Sequence, residues 1–83
     1  METIEFLELD ARQLLCPMPV IRLQNKIKTL KAICAEPRRA HIRVLCTDPG
    51  TLHDIPTWCR LYGHKILEVQ EFELEIHFLV EVA

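Results

Sequence analysis

The chain of 83 residues has no Cys-x-x-Cys pair, no long apolar run, no internal repeat and only two glycines. Each absence excludes something. Without closely spaced cysteine pairs, a structural zinc site or a local dithiol centre has no framework. His41 with Cys46 and Cys59 with His64, each five apart, are weak substitutes. Apolar runs far below the roughly 20 residues of a membrane span exclude a transmembrane helix. The acidic start Met1-Glu2-Thr3-Ile4-Glu5 has no apolar core, so it does not read as a secretory signal. A cytoplasmic protein with reduced thiols is therefore expected, with neither metal nor cofactor. Hydrophobic residues at 49% and charged residues at 27% fit one folded domain over 1–83 with a thin core.

Charge is unevenly distributed. Residues 1–10 carry four acids and no base. Residues 11–47 carry eight bases (Arg12, Arg22, Lys26, Lys28, Lys31, Arg38, Arg39 and Arg43) against Glu36 alone, and 48–83 are again acidic. The net charge of -2 argues against nucleic acid as a direct partner. The basic stretch is suited to steering an acidic protein surface.

Hydrophobic spacing predicts β-α-β-α-β-β. A first strand runs from Ile4 to Leu9. Val20, Leu23, Ile27, Leu30 and Cys34 mark the inner stripe of a helix, with Arg22, Gln24, Lys26, Lys28 and Lys31 on its other face. A loop at Glu36-Pro37-Arg38-Arg39 leads to a strand from His41 to Cys46. Thr47-Asp48-Pro49-Gly50 is a turn. The second helix is expected to be capped by Asp54, with Pro56 in its first turn, Leu52, Ile55, Cys59 and Tyr62 inward, and Gly63 as its stop. His64, just beyond, reads as a structural residue where a cation is favoured. Strands at Lys65–Glu71 and Leu74–Val82 complete a four-stranded mixed sheet, Leu45 and Leu79 pointing to its uncovered face. Two helices cover one face of such a sheet, so the expected class is α+β, a two-layer α/β sandwich.

Cys16-Pro17-Met18-Pro19 is the segment with chemical logic. Proline favours the first helical position, which makes Cys16 the N-cap and leaves the Met18 N–H aimed at the sulfur. The helix dipole, with Arg12 nearby, is expected to lower the thiol pKa. No second thiol lies close in sequence. An adduct on Cys16 would persist until another protein's thiol attacked it, which suits a carrier better than a dithiol oxidoreductase. The plain alternative is an unreactive capping cysteine. Cys34, Cys46 and Cys59 are expected in the core.

Leu9-Asp10-Ala11-Arg12-Gln13-Leu14-Leu15-Cys16-Pro17-Met18-Pro19-Val20 resembles the L-D-x-R-G-L-x-C-P-x-P-V signature of the TusA/SirA-like sulfur-carrier family. A second block agrees in order and spacing: Thr47-Asp48-Pro49-Gly50, Asp54-Ile55-Pro56, Trp58-Cys59 and Gly63-His64. The resemblance implies the same fold and a persulfide on Cys16, supported by Pro17, Met18, Pro19 and Arg12. It also implies a cysteine desulfurase or rhodanese-like protein as sulfur donor and a downstream acceptor protein. The pathways served by such carriers are tRNA thiolation, cofactor biosynthesis and sulfur oxidation. Arg22, Lys26, Lys28 and Lys31 are the candidate docking residues. Gln13 departs from the signature's glycine, and a positive φ there would strain it. The Ala32–Ala40 connection is long, and the Glu71-Phe72-Glu73 turn lacks the usual glycine or asparagine. Competing readings are a non-catalytic regulatory module on the same fold and a redox sensor pairing Cys16 with Cys59.

Overall fold

The computed structural model describes residues 5–33 and 40–83. Expectations for Ile4, Cys34, Arg38 and Arg39 fall outside that set. The order is β1 (Glu5–Ala11), α1 (Met18–Ile33), β2 (Ala40–Cys46), α2 (Thr51–Tyr62), β3 (Lys65–Glu71) and β4 (Ile76–Glu81). The sheet runs β1-β2-β4-β3. β1 and β2 are parallel, as a helical crossover requires, and β4 is antiparallel to both β2 and β3.

The strand period of two puts Leu7, Leu9 and Ala11 in register with Ile42, Val44 and Cys46, and those last two opposite Phe78 and Ile76. Against this face α1 sets Leu23, Ile27 and Leu30, and α2 sets Ile55 and Cys59. Both helices therefore cover one side of a four-stranded mixed sheet, the α+β sandwich expected from the pattern. Burying each large side chain contributes about 1.5–3 kcal/mol. On the other face Leu45 is buried and Leu79 half-buried. Leu45 lies on a central strand between Asp10 of β1 and His77 of β4. β3 is an edge, interrupted by a register shift between Ile66 and Glu68 and carrying Lys65, Glu68 and Glu71. Such irregularity and charge discourage edge pairing. No helix among the described residues is long and apolar enough to cross a membrane.

Three expectations need correction. The inner stripe of α2 is Thr51, Ile55 and Cys59; Leu52 and Tyr62 are 40% and 62% exposed. The helix starts earlier than expected, which adds Thr51, four residues before Ile55, to the stripe. Its N-cap is Gly50, which places Asp54 within the first turn and Pro56 inside the helix. Proline removes one hydrogen bond to the residue four earlier, here Leu52, in an exposed first turn. Finally, the inward alternation of β4 begins at Ile76, and Leu74 is 80% exposed.

Gly63 ends α2 as expected. Its φ of 81° is a left-handed value that glycine adopts without strain. The His64 N–H then bonds the Cys59 carbonyl at 2.9 Å, closing the helix end. The His64 ring stacks on Trp58 at 5.2 Å, and its Nδ1 accepts the Ala83 N–H at 3.0 Å. His64 is structural, but as a neutral ring. Burial, and secondarily Lys31, push its pKa down.

Candidate functional site

The two motif blocks meet in space. The β2–α2 turn clamps the β1–α1 loop through side chains that accept backbone N–H groups. Thr47 Oγ1 accepts the Gln13 N–H at 2.8 Å, and Asp48 Oδ2 accepts the Cys16 N–H at 2.8 Å. The other oxygen of Asp48 accepts the Gly50 N–H at 3.1 Å. Those two backbone donors hold the Asp48 carboxyl below its ordinary range. Gln13 has φ 65°, so the strain foreseen for a non-glycine residue is present, and the Thr47 bond helps to hold it.

The helix starts one residue later than expected, at Met18. The peptide bond between Cys16 and Pro17 is cis, and the Met18 N–H turns back to the Leu15 carbonyl at 2.8 Å. That donor is therefore spent on a turn and does not address the sulfur. The first helical bond runs from the Ile21 N–H to the Pro17 carbonyl at 3.2 Å. Pro17 thus occupies the cap, with Cys16 just outside. Pro19 is buried in the first turn, while Pro17 and Met18 are exposed.

Cys16 is exposed; Cys46 and Cys59 are buried. The Cys16 thiol donates a hydrogen bond to the Asp54 carboxylate on α2. This neighbour, with Asp48 behind it, raises the thiol pKa, contrary to the lowering expected from the helix dipole. A full negative charge in contact outweighs the partial charge of a helix end. Cys46 and Cys59 are each pushed up to about 11, by burial.

Arg12 does not reinforce the sulfur either. Its Nε and an NH group grip the two Asp10 oxygens at 2.9 and 3.0 Å, and its other NH lies 3.5 Å from Glu75. The guanidinium holds Asp10 down at about 2. This ion trio lines a cleft of about 490 Å³ with Gln13, Thr47 and Leu74. The Cys16 sulfur stands on the surface outside that cleft, where a protein partner reaches it more readily than a pocketed small molecule.

The α1 bases do not form one face. Arg22 and Lys26 precede the buried Leu23 and Ile27, whereas Lys28 and Lys31 follow the buried Ile27 and Leu30. At 100° per residue these positions lie on opposite flanks of the inner stripe. Arg22 is near enough to Asp10 to help lower its carboxyl. Lys28 and Lys31 line a groove with Trp58, Tyr62 and His64.

Sequence reasoning missed Asp48 and Asp54 as parts of the site, reading one as turn and the other as cap. The signal present was their place in the second block of the resemblance.

Comparison with known proteins places the chain in a family. A family model described as Sulfurtransferase TusA matches residues 7–82. The Sulfur carrier protein TusA of Pseudomonas paraeruginosa and that of Pseudomonas aeruginosa are each 41% identical to the chain over 63 residues, covering 76% of this chain and 72% of theirs. That of Pseudomonas putida is 40% identical over 63 residues, with 76% and 71% covered. The chain, with its C-P-x-P segment clamped by the Thr47–Asp54 block, belongs to the TusA sulfur-carrier family.

Proposed function

We propose that residues 1–83 form a single carrier domain that takes a sulfane sulfur as a persulfide on Cys16 and relays it to an acceptor protein. The observation that carries this reading is the exposed sulfur of Cys16 at the junction of the two motif blocks, while Cys46 and Cys59 are buried. The Cys16 thiolate attacks the outer sulfur of a donor persulfide, R–S–SH. A new S–S bond forms, the donor S–S bond breaks, and its electron pair leaves on R–S⁻. The proton lost by Cys16 ends on that leaving thiolate, giving Cys16–S–SH and R–SH. An acceptor thiolate repeats the attack on the outer sulfur and frees Cys16. No electron carrier is needed, because the sulfane sulfur only changes partner.

The chemistry calls for a persulfide-forming donor, of the cysteine desulfurase or rhodanese-like kind, and a thiol-bearing acceptor. Arg22 and Lys26 on one flank of α1, with Lys28 and Lys31 on the other, offer such proteins two charged approaches. A redox sensor pairing Cys16 with Cys59 is disfavoured. Cys59 is buried and its thiol stands at about 11, so it is a poor partner for disulfide exchange.

Incubation with a persulfide donor followed by intact-mass measurement tests the reading. One added sulfur, mapped to Cys16, is expected in the native chain and absent in Cys16→Ser. Sulfur on another cysteine, or none at all, overturns it.

A further inference from the structure

We propose that Asp54 is a positioning residue for Cys16: its carboxylate takes the hydrogen bond of the resting thiol and holds the sulfur toward α2 in that protonated form. The proposal deepens the carrier reading by saying how the free carrier is kept unreactive.

Among the described residues, the side chain of Asp54 has no other hydrogen-bond partner than Cys16. A carboxylate in the first turn of a helix is well placed to cap it, yet the cap is Gly50, with no side-chain bond. The side chain of Asp54 instead reaches Cys16, 38 positions away in sequence. Asp48 has a different part. Both of its oxygens are occupied by backbone N–H groups, of Cys16 and of Gly50, so it fixes the loop. Asp54 addresses the sulfur itself. Among the described residues, the charged groups facing Cys16 are these two carboxylates, from the β2–α2 turn and from α2; Arg12 is held by Asp10 and Glu75.

Asp54 is poorly suited to act as a general base. It accepts the S–H bond, and an acceptor held at the sulfur favours the protonated thiol. Its charge also repels the S⁻. The free carrier then resists stray electrophiles and oxidants, which act on the thiolate.

Alkylation by iodoacetamide, small and uncharged, tests this without any sulfur transfer, with peptide mapping to read Cys16 alone. The native rate should rise with pH about a midpoint above the ordinary thiol value of about 8.5. Asp54→Asn keeps the shape and removes the charge. The midpoint should fall, and the rate at pH 7 should rise about threefold per unit of fall, since a tenfold gain in thiolate is partly offset by weaker nucleophilicity. Asp54→Glu should restore the high midpoint. A purely structural role would lower the melting temperature without moving the profile. An unmoved profile in folded Asp54→Asn overturns the proposal. So does a native midpoint at or below the ordinary value, which needs no variant. Failure of Cys16 to accept sulfur while its alkylation follows Asp54 strikes the carrier reading alone.

Discussion

Cys16 and the pair Cys46 and Cys59 lie in two regions that do the same thing for different reasons. In the core, burial raises both thiols to about 11. At the loop end, a hydrogen bond to a neighbouring carboxylate raises an exposed thiol. Burial is undone only by opening the fold. A single exposed hydrogen bond is undone whenever something else engages the carboxylate. The difference teaches that a raised pKa marks an inert cysteine only when its cause is irreversible under native conditions. The core gives stability and a fixed frame, and the loop end holds an exposed thiol whose protonation a contact can change.

The sharpest division between the regions concerns stability. Phe78 is fully buried in the core cluster. Phe78→Ala should cost about 3–5 kcal/mol, a large part of the about 5–15 kcal/mol that holds a small domain together. Urea unfolding reads it. A cost below about 1 kcal/mol would mean that the two layers pack elsewhere. Next in size is the contrast in reactivity. Native alkylation of Cys46 and Cys59 should trail that of Cys16 by about a hundredfold or more, because a thiol near 11 offers very little thiolate and these two are also shielded. Equal labelling of Cys59 and Cys16 in folded protein would abolish the distinction.

The frame was legible in the sequence because it depends on local periodicity. The alternation Ile76, Phe78, Val80, Val82 and the helical spacing Leu23, Ile27, Leu30 each need one partner layer and no knowledge of its identity. The errors came where a residue's role depends on something distant. Leu52 and Tyr62 fit an inner stripe on spacing, but they lie near the two ends of α2 and are exposed there, and spacing does not say how far the covering layer reaches. Asp54 sits where a cap could sit, and only the folded loop reveals that its carboxylate meets a sulfur 38 residues away. The Cys16 pKa followed the same pattern. The helix dipole is visible in a one-dimensional reading, whereas two carboxylates brought across the fold are not. Arg12 looked like a neighbour of Cys16 because it is close in sequence, and in space it belongs to Asp10 and Glu75.

A smaller effect tests whether strain is concentrated at the loop end. Gln13 holds a left-handed φ of 65° where the family signature has glycine. Relief of that strain is worth about 1–2 kcal/mol. Glycine gives back about 0.4–1 kcal/mol through its freer unfolded chain. Gln13→Gly should therefore stabilise by a net of about 0.5 kcal/mol, provided its N–H keeps the bond to Thr47. Gln13→Ala, with the same Cβ conflict, should gain nothing. Equal stability of the glycine and alanine variants in urea unfolding would show that the loop is not strained.

The smallest effect belongs to the framework side and concerns His64. Its folded pKa lies below the ordinary 6.5, chiefly through burial, and its Nδ1 must stay unprotonated to accept the Ala83 N–H. The unfolded chain takes up this proton at the ordinary value, before the folded state does. More protons bound by the unfolded state means stability that rises with pH. The contribution is therefore fully present above about pH 6.5 and is lost as the pH falls below it toward the folded pKa. Two other histidines sit against carboxylates, His41 at Glu81 and His77 at Glu75. A difference between proteins isolates His64. His64→Phe keeps an aromatic ring for Trp58 and cannot titrate, while the two ion pairs remain in both chains. The melting temperature of the native protein relative to that of His64→Phe, measured from pH 7.5 to pH 5, should fall on acidification by a few degrees at most. Curves that stay parallel would show that the proton finds His64 as readily in the folded state as in the unfolded one, and that its stack on Trp58 is open to water.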